Sequence, residues 1–310
     1  MPKLALIGTG RWGKNIEHTL QSFSDTELAY TRNEDWKDLL TKTDIEGVLI
    51  ATPGSTHKEI ALAFINKGIP TFIEKPMATT TNDAKEIYET ALTNNVPITI
   101  GHIHLYNPAY LTAKQEVKKN TQLHYIVFEG TNMGPIRNDM SAIWDWAPHD
   151  ISMAIDILQT LPTSAKAWGR NILRKHTELY DYAHIELEFD IPVLITNSWL
   201  MPEKRKKMMV IGSNNNVTYD DTLPNNKITI TQPIQIENEV FTPPDLSQTK
   251  HPAYDISATP LEIELRAFLR TITQNKPAQT TAKDGLHVVT IIEAIHESIK
   301  TEGKSIKIQY

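Results

Sequence analysis

Cysteine is missing altogether from the 310 residues. Its absence excludes disulfides, thiolate nucleophiles and cysteine-ligated metals, and it suits a reducing compartment. Long apolar runs are missing as well, since none approaches the roughly 20 residues that a membrane helix needs. The sequence enters a strand pattern at once, without the charged region, apolar core or cleavage site of a secretory leader. We therefore expect a soluble, cytoplasmic protein that meets no membrane. An excess of positive charge is absent too: 31 Lys and Arg stand against 37 Asp and Glu, a formal charge of -6. This argues against a nucleic-acid partner or an anionic-lipid surface, both of which need concentrated cations. The one basic run, Lys204-Arg205-Lys206-Lys207, reads as a solvated strand end or loop, or more sharply as a contact for an anionic substrate. Internal repeats, low-complexity segments and long linkers are lacking, and residues 233–252 form the stretch least like a regular element.

What is present is an ordinary globular composition, 40% apolar and 22% charged, on a chain long enough for two domains. Over the first hundred residues, short apolar runs without polar alternation recur at Lys3-Leu4-Ala5-Leu6-Ile7, 28–31, 47–51, 71–74 and 98–101. Strands of that kind have both faces covered, as in a parallel sheet. Helical patterns fill the gaps. One follows Thr56, with Glu59 completing a capping box, and another runs from Asn82 to Asn94 with Ile87, Ala91 and Leu92 inward. The alternation predicts βαβ units and a doubly wound α/β sheet over residues 1–120. Beyond about residue 120 the period changes to apolar/polar alternation, as at 125–128, 183–189 and 227–231, the mark of antiparallel strands with one covered face. Two helices, about 260–274 and 283–301, close the chain, so residues 121–310 are expected to form an α+β domain with a large, mainly antiparallel sheet.

Gly8-Thr9-Gly10-Arg11-Trp12-Gly13 is a G-x-G-x-x-G run placed between a strand and a helix, the context in which such a run binds a dinucleotide. Gly8 permits the tight turn, Gly10 lets the backbone approach a pyrophosphate, and Gly13 allows close helix–sheet packing. The helix N-terminus adds unpaired N–H groups and a positive dipole end. We read residues 1–120 as a dinucleotide-binding Rossmann domain. Where a ribose-reading Asp or Glu would end the second strand, the sequence has Thr31-Arg32-Asn33. The Arg32 fork suits a 2′-phosphate, which favours NADP(H) over NAD(H). The alternative is a solvent-facing Arg32 with Glu34 or Asp35 as the acceptor.

Three further segments stand out: Ala51-Thr52-Pro53-Gly54-Ser55-Thr56-His57 after the third strand, Glu74-Lys75-Pro76 at the end of the fourth, and Trp144-Asp145-Trp146-Ala147-Pro148-His149-Asp150 opening a later helix. With the glycine run they resemble the Gfo/Idh/MocA family of sugar and cyclitol oxidoreductases over nearly the whole chain. The resemblance implies that Lys75 is the active-site lysine and that Asp145 and His149 are the Asp-x-x-x-His pair. It also implies a small sugar-like substrate and packing into a homodimer or homotetramer. Chemistry agrees independently. Oxidising an alcohol needs a base for the hydroxyl proton, which a neutral His149 supplies near neutral pH, while Asp145 orients the imidazole or hydrogen-bonds a substrate hydroxyl and Lys75 positions or polarises the reacting oxygen. No metal is implied. Residues 51–53, His57, Glu74 and Lys75 are expected at the cofactor, with Tyr106, Trp144 and Trp146 bordering the substrate.

Each residue also has a plainer reading. Lys75 can be a surface charge, Asp145 a helix cap, His149 a satisfied buried histidine, Trp144 and Trp146 core, and His57 a first-turn residue. The reading that emerges is an NADP(H)-dependent dehydrogenase or reductase acting on a hydroxyl or ketone of a sugar, nucleotide sugar or polyol. Its rivals are a reductase of a non-sugar imine or pyrrole, and a regulator that binds cofactor without chemistry. Two departures from the family pattern stand out. Only residues 33–46 separate the second and third strands, room for one short helix at about 34–41, so a thinner adenine wall is expected. A glycine usual shortly after the aspartate is absent, and the bulky Trp146 stands in that stretch, which narrows the pocket or changes the substrate class.

Overall fold

In a computed structural model, residues 1–33, 35–175, 177–237 and 240–310 are described. The first elements are β1 (Lys3–Ile7), α1 (Arg11–Gln21), β2 (Glu27–Arg32), β3 (Gly47–Ile50), α2 (His57–Ile65), β4 (Thr71–Glu74), α3 (Thr81–Thr93) and β5 (Ile98–Gly101). Then come α4 (Pro108–Val117), β6 (Leu123–Met133), α5 (Ala142–Leu158), β7 (Ser164–Arg170), β8 (Tyr182–Glu188), β9 (Pro192–Ser198) and β10 (Leu200–Gly212). The last are β11 (Asn216–Asp220), β12 (Ile228–Thr231), β13 (Gln235–Glu237), β14 (Val240–Thr242), α6 (Pro260–Gln274), α7 (Ala282–Lys300) and β15 (Ile306–Lys307). No helix among the described residues is long and apolar enough to cross a membrane.

The chain divides into two compact units, but not at a single point near residue 120. One unit comprises residues 1–106 and 258–290, the other residues 107–257 and 291–310. The reason is packing. Helix α4 lies against β11 and β12, whereas α6 lies against α1.

The first unit holds a five-stranded parallel sheet in the order β2-β1-β3-β4-β5. Leu4, Ala5, Leu6 and Ile7 are wholly buried, as are Val48, Leu49 and Ile50, because helices cover both faces of the central strands. Ile16 and Leu20 of α1 join Leu265 and Phe268 of α6 on Leu4, Leu6, Leu49 and Phe72 in one cluster, with the Phe72 and Phe268 rings edge to face at 5.8 Å. Gly47 makes room for α6, since a Cβ there would sit 2.5 Å from Ile272 Cδ1. On α3, Ile87 and Ala91 are buried as expected, but Leu92 lies on the exposed side. The short helix expected at 34–41 is a 3-10 turn, Trp36–Thr41; Glu34 lies outside the described residues.

The second unit holds an eight-stranded sheet in the order β12-β11-β10-β6-β9-β8-β7-β15. Every pairing is antiparallel except β6 with β9. Ala165 and Ala167, Ala183, Ile185 and Leu187, and Val193 and Ile195 alternate into the core beneath α5. The basic run falls inside β10 and is ion-paired: Arg205 with Glu129 and Glu203, Lys206 with Asp221, Lys207 with Asp220. Within the stretch expected to be irregular, β13 and β14 pair antiparallel.

Candidate active site

The glycine turn follows from three steric demands. Gly8 takes φ +97°, and a Cβ on it would press to 2.6 Å of the Ala51 carbonyl. Its N–H donates to Arg32 O at 2.7 Å, which ties the end of β1 to the end of β2. A Cβ on Gly13 would lie 1.8 Å from Gly8 O, so only glycine lets α1 start this close to the turn. Around Gly10 the Cβ position is open to 4 Å. The first intrahelical bond runs from Lys14 N to Gly10 O, so the N–H groups of Arg11, Trp12 and Gly13 lie ahead of it, where a helix offers them no acceptor. Open space, orphan donors and a dipole end together fit a pyrophosphate. Asn33 steadies the turn by accepting from Thr9 N and Thr9 Oγ1, each at 2.8 Å.

Arg32 at the end of β2 is engaged by its own chain. Its Nε and Nη2 both face Asp38 of the 3-10 turn, at 3.1 to 3.3 Å, and Nη1 donates to Thr31 O. The pair is partly exposed. Exchanging one anionic partner for another at such a surface pair costs only about 0–1 kcal/mol.

At the ends of β3 and β4 the backbone is held by His57. The ring lies buried at the start of α2, with Nδ1 2.9 Å from Pro76 O and Nε2 2.8 Å from Thr52 O. Burial pushes its pKa down, against the pull of the Thr52, Pro76 and Met77 carbonyls. His57 thus clasps the segment after Lys75 to the segment after Ala51. The expected capping box on α2 does not form. The Thr56 hydroxyl bonds to Thr52 Oγ1 and Pro53 O instead, and Thr56 has helical φ/ψ rather than the extended geometry of a cap. Glu74 is buried and accepts from Trp12 Nε1 and from Lys75 N. Burial raises its pKa to about 7 against the Trp12 hydrogen bond and the Lys75 charge. Tyr106 is buried, bonded to Thr280 Oγ1 at 2.9 Å, and burial pushes it up to about 12.

In the second unit, α5 begins at Ala142 rather than at Trp144, and Ser141 caps it by accepting from Trp144 N. Asp145 is therefore a first-turn residue and not the cap. Asp145 and His149, four apart, share one face of α5. Trp199 Nε1 donates to Asp145 Oδ2 at 3.1 Å, and the Arg174 guanidinium covers the Trp199 ring at 5.3 Å, itself paired with the buried Asp181. Trp146 is buried against Gly130, where a Cβ would come within 2.9 Å of the indole, and Lys206 Nζ lies 5.7 Å from its ring. Trp144 is half-buried and stacks on His296 at 5.9 Å. Asn33, Glu264 and His102 in the first unit and Trp199 in the second were given no functional part by the sequence reading. Only Glu264 left a trace there, as a charge on the apolar stripe of α6 beside Leu261, Leu265 and Phe268.

The fold and the glycine turn define a Rossmann unit of the NAD(P)-binding kind joined to a sheet-based second unit. Residues 13–102 match the family described as "Oxidoreductase family, NAD-binding Rossmann fold", and residues 130–218 match the "GFO/IDH/MocA C-terminal domain". The chain belongs to the Gfo/Idh/MocA family. It is 28% identical over 157 residues to an inositol 2-dehydrogenase of Agrobacterium fabrum and 27% identical over 168 residues to the scyllo-inositol 2-dehydrogenase (NAD(+)) of Bacillus subtilis. These matches span 49% and 51% of this chain and 47% and 49% of those relatives, about half the length of each. A candidate oxidoreductase from Magnetospirillum magnetotacticum MS-1 superimposes with a TM-score of 0.83 at 27% identity, covering 94% of this chain and 99% of that one.

Proposed function

We propose that the chain is a nicotinamide-dependent dehydrogenase or reductase acting on a hydroxyl or ketone carbon of a polyol, sugar or nucleotide sugar. The observation that carries the reading is Lys75 at the carboxyl end of β4, in the same sheet whose β1 ends in the glycine turn, because open α/β sheets bind ligands at the carboxyl ends of their strands. A bound nicotinamide supplies the hydride acceptor or donor. The chain supplies the rest. Lys75 polarises the reacting oxygen, His149 takes the hydroxyl proton in oxidation and returns it in reduction, and Asp145, held by Trp199, orients the imidazole. The relatives named as inositol 2-dehydrogenases make inositols the first substrates to try.

Turnover on a panel of inositols and sugars, followed by nicotinamide absorbance, tests the reading. Lys75→Ala should lower kcat by about 10²–10⁴ while leaving fold and cofactor binding intact. Unchanged turnover removes Lys75 from the reaction, and cofactor binding with no turnover on any substrate makes the chain a regulator.

For the cofactor we favour NADP(H), with Arg32 leaving Asp38 for the 2′-phosphate. The Arg32–Asp38 pair itself favours a second reading, NAD(H), in which the two remain together; the Bacillus subtilis relative is named with NAD(+). Equal or tighter binding of NADH than NADPH decides for the second.

We also propose a homo-oligomer. On the sheet face turned from α5, Trp168, Leu194 and Tyr125 are 48%, 40% and 39% exposed. A light-scattering mass of one 35.1 kDa chain would overturn this.

A further inference from the structure

Behind the Lys75 strand end lie two carboxyl groups that the proposed chemistry does not use. Glu74 is enclosed on three sides: Trp12 Nε1 donates to its Oε1, Lys75 N donates to its Oε2 at 3.3 Å, and a Cβ on Gly101 of the neighbouring strand would touch Oε2 at 2.8 Å. Glu264 comes from α6. It is 0% exposed, and among the described residues neither of its oxygens has a hydrogen-bond partner; the charge acting on it is that of Glu74. One residue beyond Gly101, the His102 ring is also buried and without a hydrogen-bond partner among the described residues. Burial, together with the Lys75 charge and against that of Asp284 on α7, keeps it neutral. The groups facing the two carboxyls are thus the Trp12 indole from α1, Lys75 beside Glu74 itself, and the Tyr106 phenol, on which the Glu264 charge acts.

An unpartnered carboxylate out of water is too costly to persist and takes up a proton. Two carboxyls in one dry site cannot both ionise. The proton belongs on Glu264, which has no donor to stabilise its anion, and the negative charge on Glu74, which has two. We propose that Glu264 and Glu74 are a positioning pair in which Glu264 stays protonated, ionised Glu74 holds the Trp12 indole and the Lys75 backbone in place, and protonation of Glu74 releases both. Glu74 is poised for this, since burial already places its pKa at about 7. Trp12 stands in the first turn of α1, so the inference rests on the reading that a dinucleotide binds there. Cofactor affinity should accordingly weaken as the pH falls below neutrality.

Two measurements test the pair. In the full chain without cofactor, ¹³C-carboxyl NMR of labelled glutamates should show one buried carboxyl titrating near neutral pH. That signal should be lost in Glu74→Gln and kept near neutrality in Glu264→Gln, where a neutral amide replaces a carboxyl that is already protonated there. In NADH and NADPH binding titrations between pH 5.5 and 8.5, affinity should fall below the inflection by up to about tenfold per pH unit. Glu264→Gln should leave that inflection in place, because the group it replaces is uncharged throughout the range. Trp12→Phe, which removes the donor that stabilises ionised Glu74, should move it to higher pH. A movement in one variant and none in the other is not what general loosening of the fold produces. A wild-type spectrum with no carboxyl titrating near neutrality overturns the inference, as does an inflection that Trp12→Phe does not move, or one that Glu264→Gln shifts to lower pH, which would mean that Glu264 is ionised. If Glu264→Gln does not fold, Trp12→Phe decides alone, and an inflection that stays put overturns the pair. The NMR arm needs no dinucleotide, so a chain that binds none would sink the proposed function while leaving the pair to be judged on its own titration.

Discussion

At the scale of single residues, the site is a set of positions where one atom more or less decides the outcome. Gly13 is the sharpest, since a methyl group 1.8 Å from Gly8 O has nowhere to go. Gly13→Ala should therefore destabilise the first unit and abolish dinucleotide binding by calorimetry, whereas Gly10→Ala, with open space at its Cβ, should keep the fold and weaken only the ligand. Trp199→Phe removes the N–H that holds Asp145. A hydrogen bond to a charged group is worth about 1.5–3 kcal/mol, so kcat should drop about tenfold or more with little change in KM. A variant as fast as the parent would show that Asp145 needs no orienting. The glycines were legible because their spacing carries the steric demand in the sequence itself. Trp199 was not, because 54 residues separate it from Asp145 and nothing at position 199 marks a donor.

Among the elements, two segments with the S/T-x-x-E pattern behave differently. Thr259 and Glu262 cap α6 reciprocally, with Thr259 accepting from Glu262 N and Glu262 accepting from Thr259 N. Thr56 and Glu59 fit the same pattern, yet the 3-10 turn Gly54–Thr56 runs straight into α2 and leaves Thr56 no extended geometry. Thr259→Ala should cost about 1 kcal/mol in denaturant unfolding, and Thr56→Ala should cost less; the reverse order would mean that the cap geometry is misassigned. The strands of the parallel sheet and the closing helices were readable to within a residue or two, because hydrophobic period reports burial directly. The start of α5 was not, since Ser141 looks like any loop serine until its hydroxyl meets Trp144 N.

For the whole molecule, buried ionisable groups set how stability follows pH. Burial lowers His102 and His296 to about 4 and lowers His57 and His287 as well, so unfolding takes up protons at these four rings below about pH 6.5, and stability rises with pH across that window. Burial raises Glu74 to about 7 and Glu264 well above its ordinary range. The folded state therefore holds protons that the unfolded state releases above about 4.5, so stability falls as pH rises towards and past 7. The slopes oppose each other below pH 6.5, and only the carboxyl contribution continues above it. We expect the melting temperature to peak near pH 6.5 and decline by pH 7.5, with Glu264→Gln flattening the decline. A melting temperature that climbs through pH 7 in the parent chain would contradict this.

The parallel-sheet unit is built from two separated stretches, residues 1–106 and 258–290, and this has a consequence for how the polypeptide is made. Leu261, Leu265, Phe268 and Leu269 complete the cluster on Leu4, Leu6 and Phe72, yet the ribosome delivers them last. At about 5–20 residues per second, the nascent amino-terminal half waits for many seconds with that greasy flank uncovered. A truncation ending at residue 120 freezes the chain in this state. Such a fragment should aggregate or recruit a holdase chaperone when translated in vitro, and release should come only once α6 has left the exit tunnel.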